Sequence, residues 1–497
     1  MFANIGGSQK SNVVETMAKT APGLALLGSG IFASSQYLPK LGELSEVISL
    51  RVIWSRSEDG AKKALLSARS YAPNVEAKWG QEGLEAILQD KSIQAVAIVL
   101  PAQHQVSLNL GFLNAVMSFF AVFVYAEFDA CQFVLTEVLS GAVYLWLGKH
   151  LGGMHKKIAS PGMKCLWAFS EPRTSQLELV LRALEAGKHV IQEKPVGASV
   201  ADVRKAWSTY QALAVNDKKL PIWAVAENYR FEPALIQTGK FAKEIGQIMG
   251  VQVLIEAPIN SSSPYFSSSW RRDKNFKVEN LTFMRQYSGA RVLKCNFWSS
   301  LIYEIAHDAN LLISLVSFLN SFGIVQFVGC EIASVSATVS HFDQTQPPPD
   351  NLSASIQLWN GSAGVVNICY SATTRKIQFL ASTHHSETCH MMWRVVGSLG
   401  TVEAERVVKN GQQGYKATCQ NASGDIQETF SPFAGVYEEL QAFAEDVSKC
   451  VVQGLSGEEA DRRSSVLEAM RDVAVIEAML NSSDNKGTPS VVELVLA

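Results

Sequence analysis

Past residue 22 the chain alternates short apolar runs with stretches of helical period. Residues 24–27, 47–54 and 95–100 are runs without polar alternation, as expected of strands buried on both faces. Residues 60–69 and 83–89 read as short helices between them, and residues 189–192 as a further strand. Strands alternating with helices predict a parallel, doubly wound sheet. Farther on the pattern changes. Residues 251–256, 333–340, 353–358, 364–370, 394–396 and 401–405 are strand-like, with turn signals at Asn360-Gly361 and at Gly397-Ser398-Leu399-Gly400. Serial strands of this kind predict an antiparallel sheet. Residues 437–452 and 458–480 have helical periodicity, the second starting in the acidic run Glu458-Glu459-Ala460-Asp461.

Composition narrows the class. The 497 residues are 47% hydrophobic and 18% charged, with a net charge of −3. That is globular, with room for two or three domains, and gives no electrostatic reason to expect nucleic acid. The eight cysteines are scattered without a CxxC pair, which favours a reducing compartment such as the cytoplasm. Residues 1–20 lack an apolar signal and read as a loose tail. Residues 110–126 carry no charge and raise a membrane question, but Glu127, Asp129 and Glu137 interrupt the apolar stretch that continues to residue 147. A membrane-anchored form is therefore the weaker reading.

The first strand runs directly into Gly28-Ser29-Gly30-Ile31-Phe32-Ala33, a GxGxxA pattern followed by a helix-like segment. The first glycine permits a tight turn. The second lets backbone approach a pyrophosphate, and the small third residue allows close helix–strand packing. The second strand ends in Ser55-Arg56-Ser57. An acid gripping a ribose 2′-hydroxyl is missing there, and Arg56 suits a 2′-phosphate, so the expected cofactor is NADP in preference to NAD. The alternative leaves Arg56 as a solvated charge, with Glu58 or Asp59 on the ribose.

Residues 186–197 read AGKHVIQEKPVG, delivering Glu193-Lys194-Pro195 at a strand's C-terminal end. With GxGxxA, the strand leading to Pro101 and His104, the segment Glu227-Asn228-Tyr229-Arg230-Phe231 and the stretch from Trp393 to Glu405, the chain resembles the glucose–fructose oxidoreductase/inositol dehydrogenase (Gfo/Idh/MocA) family. The resemblance implies an α/β protein. A Rossmann domain with a doubly wound parallel sheet (residues 21–225, interrupted by an insert at 106–176) would precede a C-terminal α/β domain with a large, mostly antiparallel sheet (226–497). It implies reversible hydride transfer between NAD(P) and a hydroxyl or carbonyl carbon of a sugar, polyol or related molecule. Lys194 would contact the reacting oxygen and Tyr229 would line the pocket or relay protons, its alternative being an aromatic packed between domains. Gly28, Ser29, Gly30, Ile31, Phe32, Ser55, Arg56, Pro101, His104, Glu193, Lys194 and Pro195 would surround the cofactor. An open sheet face in the second domain is one that a homodimer would bury.

Two departures qualify this. Residues 106–176 separate a strand from its crossover helix, a gap far beyond ordinary loop length. Residues 278–326 stand where the family carries a Gly-Gly…Leu-Asp-x-Gly-x-His motif with its acid/base histidine. His307 is the nearest substitute, and the competing expectation is a catalytically impaired, dinucleotide-binding isoform. Both segments begin with Val and end with Gln, whose codons can carry the dinucleotides of intron ends, so translated introns are one reading of them. A third irregular stretch, 379–392, holds His384, His385, Cys389 and His390. Their spacing fits no standard zinc site, so no metal is expected.

Overall fold

The computed structural model describes residues 21–100, 176–214, 219–257, 329–342, 350–371 and 389–495. The first sheet has six parallel strands: β1 Gly23–Leu27, β2 Ser49–Ser55, β3 Glu76–Trp79, β4 Ala95–Ile98, β5 His189–Glu193 and β6 Trp223–Ala226, in the order β3-β2-β1-β4-β5-β6. The order reverses between β1 and β4, and the crevice beyond their C-terminal ends is where such sheets bind ligands.

Alternate residues of each strand serve opposite layers. Leu24, Leu26, Ile53, Ala97, Ile191 and Ala224 face one layer, built from α1 (Leu38–Glu43), α2 (Glu58–Ala68) and α7 (Gly435–Gln453). Ala25, Leu27, Val52, Val96, Val190 and Val225 belong to the core shared with α3 (Gly80–Gln89), α4 (Gln176–Glu185) and α5 (Val200–Gln211). All of these strands but the edge strand β3 are buried on both faces, which is why their sequences show no alternation. The arrival of α7 is a long-range contribution: Leu440, Phe443, Ala444 and Val447 come back to the first sheet after the whole second sheet has been completed.

The second sheet has nine strands in the order β14-β13-β12-β11-β7-β10-β9-β8-β15. They are β7 Ile248–Glu256, β8 Ile332–Ser340, β9 Asn351–Leu358, β10 Ala363–Cys369, β11 His390–Gly397, β12 Gly400–Lys409, β13 Gln412–Asn421, β14 Ile426–Pro432 and β15 Ser490–Val491. All neighbours are antiparallel except β7 and β10. The expected mostly antiparallel sheet is present. Its inner face, with Val253, Ile356, Ile368, Trp393 and Val402, joins the larger core under α6 (Pro233–Phe241) and α8 (Val466–Asp484).

One expectation is corrected. The helix expected over 458–480 begins at Val466, where Ser465 caps it by accepting from the Glu468 N–H at 3.3 Å. The acidic run instead makes two single turns. Glu459 and Ser456 form a capping box in the first, and Asp461 caps the second. Short polar side chains that bond nearby backbone stop a helix as readily as they start one.

Among the described residues no helix is long and apolar enough to cross a membrane; residues 110–147 lie outside them. Pro101, His104, His307, His384 and His385, and residues 278–326, lie outside them as well.

Candidate active site

The turn after β1 has the geometry its glycines predict. Gly28 has φ 137°, and a Cβ there would stand 2.0 Å from the Val99 carbonyl oxygen, so only glycine fits. A Cβ on Gly30 would meet nothing within 4 Å: backbone is bare toward the crevice, as close approach by a pyrophosphate requires. Ser29 Oγ donates to Ser55 Oγ at 2.9 Å, tying the loop to the end of β2. Ile31 is exposed at the crevice, whereas Phe32 is half-buried edge-on against Tyr37. Exposed Arg56 follows β2, and Ser57 caps α2. Glu58, in the first turn of α2, pairs with Lys62 at 2.7 Å, and the Lys62 ammonium lies 5.8 Å over the ring of Trp79 at the end of β3. The residues present fit a dinucleotide.

On the other side of the crevice β5 ends in Glu193-Lys194-Pro195, with a cis Lys194–Pro195 bond. Gln176, at the head of α4, donates to the Glu193 carbonyl at 2.6 Å, so the crossover helix holds the strand end. Lys194 Nζ donates to Asn228 Oδ1 at 3.2 Å and sits 5.3 Å over the Tyr229 ring. Tyr229 in turn packs against Trp393 and Tyr415 of the second sheet, with centroids 6.4 and 6.2 Å away. Glu193, Lys194 and Tyr229, expected from sequence as separate motifs, therefore form one cluster between the sheets. Tyr229 is both an inter-sheet aromatic and a lysine neighbour, and burial holds its hydroxyl up at about 12.

Of the acids behind this lysine, sequence reasoning placed Glu193 at the site but gave no role to Glu227 or Glu439. The Tyr37 hydroxyl donates to Glu193 Oε1 at 2.7 Å, while burial raises the Glu193 carboxyl. Glu227, 1% exposed, is pushed up to about 8 by burial, against the pull of Lys194. Burial also raises Glu439 of α7 well above the ordinary range, reinforced by the negative charge of Glu193. Arg230 pairs with Asp472 at 2.6 Å and donates to the backbone carbonyls of Arg463 and Glu468. The signal for Glu439 was present: it shares the apolar face of α7 with Phe443, four residues on, where a solvated acid has no place.

Of the irregular His/Cys stretch, the described His390 lies between Glu256 and Glu405, at 3.5 and 3.7 Å, in a cross-strand charge ladder.

A doubly wound sheet with an open glycine turn after β1 and a lysine at the end of β5 fits a dinucleotide-dependent oxidoreductase. The chain belongs to the Gfo/Idh/MocA family of NAD(P)-dependent oxidoreductases. The profile of the oxidoreductase family NAD-binding Rossmann fold matches residues 143–216, and that of its C-terminal alpha/beta domain matches residues 317–494. Dehydrogenase FPY6 of Fusarium mangiferae is 23% identical over 475 residues, covering 95% of this chain and 99% of its own length. The fold is shared with an oxidoreductase from Thermotoga maritima, with a TM-score of 0.55, 18% identity, and coverage of 96% of this chain and 100% of that one. It is shared too with a levoglucosan dehydrogenase in complex with NADH and levoglucosan, with a TM-score of 0.53, 16% identity, and coverage of 95% and 99%. A 3-ketoreductase from Actinomadura kijaniata, in complex with NADP and TDP-benzene, gives a TM-score of 0.54 at 14% identity, covering 93% of this chain and 98% of its own.

Proposed function

We propose that the protein transfers a hydride between NADP and a hydroxyl or carbonyl carbon of a sugar, polyol or related small molecule, with Lys194 as its proton-handling residue. The observation that carries this reading is the cluster at the end of β5, where Lys194 lies over Tyr229 across the crevice from the bare backbone of Gly30. The nicotinamide, when bound, supplies or accepts the hydride. Gly28, Ser29 and Gly30 present backbone to the pyrophosphate, and Arg56 favours a 2′-phosphate where β2 ends without an acid. Glu58, in the first turn of α2, is engaged by Lys62. Lys194 stabilises negative charge on the reacting oxygen and gives it a proton. Tyr229 walls the substrate side. The levoglucosan of that dehydrogenase supports the substrate class, and its NADH and the NADP of the ketoreductase support a nicotinamide cofactor; the choice of NADP rests on Arg56.

Lys194→Ala tests the assignment. Turnover should fall by at least about a hundredfold, since general acid–base groups contribute that much or more. NADPH affinity should stay within about tenfold, 1.4 kcal/mol. Lost NADPH binding with retained turnover would refute it. A second reading, a cofactor-binding chain without turnover, is favoured by the missing glycine-rich histidine motif. It predicts NADPH binding by wild type and no activity over a sugar and polyol panel.

A further inference from the structure

The end of β5 carries more buried acid than this chemistry uses. Strands β5 and β6 run parallel with Glu193 opposite Ala226, so Lys194 and Glu227 leave the sheet side by side. Glu439, from α7, meets them there, close enough for its carboxyl to feel the charges of Glu193, Lys194 and Glu227. Glu227 is 1% exposed and Glu439 2%, and Oε2 of each has no hydrogen-bond partner among the described residues. Facing the pair are Lys194 and Glu193 from the β5 end, Arg230 after β6 and Asp472 of α8, with Tyr37 bonded behind Glu193. Arg230 is bonded to Asp472. That leaves Lys194 as the cation adjoining Glu193, Glu227 and Glu439. Closely packed carboxyls in a dry site, with two oxygens unsatisfied, do not all ionise; some proton stays among them.

We propose that the Glu227–Glu439 pair stores a proton at neutral pH and delivers it to Lys194 after Lys194 has protonated the substrate. The proposal rests on the role given to Lys194 above. In the reducing direction the carbonyl carbon receives hydride with its electron pair, and the C=O π pair moves to oxygen. That oxygen takes a proton from Lys194 Nζ. The neutral amine then takes the Glu227 proton: an O–H bond breaks and an N–H bond forms, leaving a carboxylate beside an ammonium. One solvent proton restores the acid. Oxidation runs the steps in reverse. Glu227 and Glu439 act through Lys194 and are positioning residues, compensating for the histidine motif that the sequence lacks.

Infrared titration of the full-length protein reads the stored proton without cofactor or turnover. A protonated-carboxyl band should persist at neutral pH, titrate out above it, and weaken in Glu227→Gln. In Lys194→Met its midpoint should move upward, because the cation favouring ionisation is gone. In NADPH-dependent turnover, Glu227→Gln should lower kcat by about tenfold or more, with KM within about twofold, and abolish the alkaline fall of kcat. Glu227→Asp should keep that alkaline fall. No neutral-pH band assignable to Glu227, or an unmoved midpoint in Lys194→Met, overturns the stored proton. An unchanged pH profile in Glu227→Gln overturns its delivery. A wild-type chain without turnover defeats both delivery and the catalytic reading of Lys194, while the infrared arm still decides whether the proton is stored there.

Discussion

A Cβ on Gly28 would collide with the Val99 carbonyl, whereas one on Gly30 would enter open space, and these two glycines separate fold from function at the scale of a residue. Gly28→Ala should cost on the order of 1–3 kcal/mol from backbone strain alone, read as a lower denaturant midpoint. Gly30→Ala should leave that midpoint in place and weaken NADPH binding by about tenfold or more, 1.4 kcal/mol. Arg56→Ala should cost NADPH roughly 1.5–3 kcal/mol, as expected for lost hydrogen bonds to a charged group, and leave NADH little changed. Equal losses for both cofactors would remove Arg56 from the 2′-phosphate. The glycines, Arg56 and Lys194 were legible because each stands at a fixed offset from an apolar run. Glu227 was legible only as part of a motif, and Glu439 only as an acid on an apolar helix face, because only the folded chain brings α7 to the first sheet.

Among elements, β5 carries its own pH dependence. His189 Nδ1 accepts from the Ile222 N–H at 3.0 Å, and burial lowers the imidazole to about 4. A base depressed in the folded state stabilises above its ordinary value of 6.5 and loses that contribution as pH falls toward about 4. The loss is at most about 3 kcal/mol. The raised carboxyls Glu193, Glu227 and Glu232 act oppositely, because protonation relieves them. The informative quantity is thus the difference between wild type and His189→Gln, which keeps an acceptor and cannot titrate. The variant should lose less stability on acidification in urea melts, and an identical acid limb would contradict the argument. Strands β1, β2, β4 and β5 were readable since both faces are buried. The edge strand β14 was not, since most of its residues are exposed, and β3 is a four-residue edge strand without a fully buried position. The start of α8 was misjudged because the acids before it cap single turns.

Over the whole molecule, the chain crosses from the first sheet to the second through residues 227–231, and Arg230 fastens that crossing to α8. Its side chain is 12% exposed and that of Asp472 13%, and burial raises the Asp472 carboxyl to about 6 despite its partner. Arg230→Met should destabilise by about 3–5 kcal/mol, the cost of stranding a buried charge. The double variant Arg230→Met/Asp472→Leu should recover most of it in chemical denaturation. The central claim concerns the crevice between β1 and β4. It is tested most directly by calorimetric titration of the full-length chain with NADPH and, separately, NADH. The account predicts saturable NADPH binding at one site per chain, weakened in Gly30→Ala, with NADH binding weaker. Binding of neither cofactor by a folded chain would contradict it.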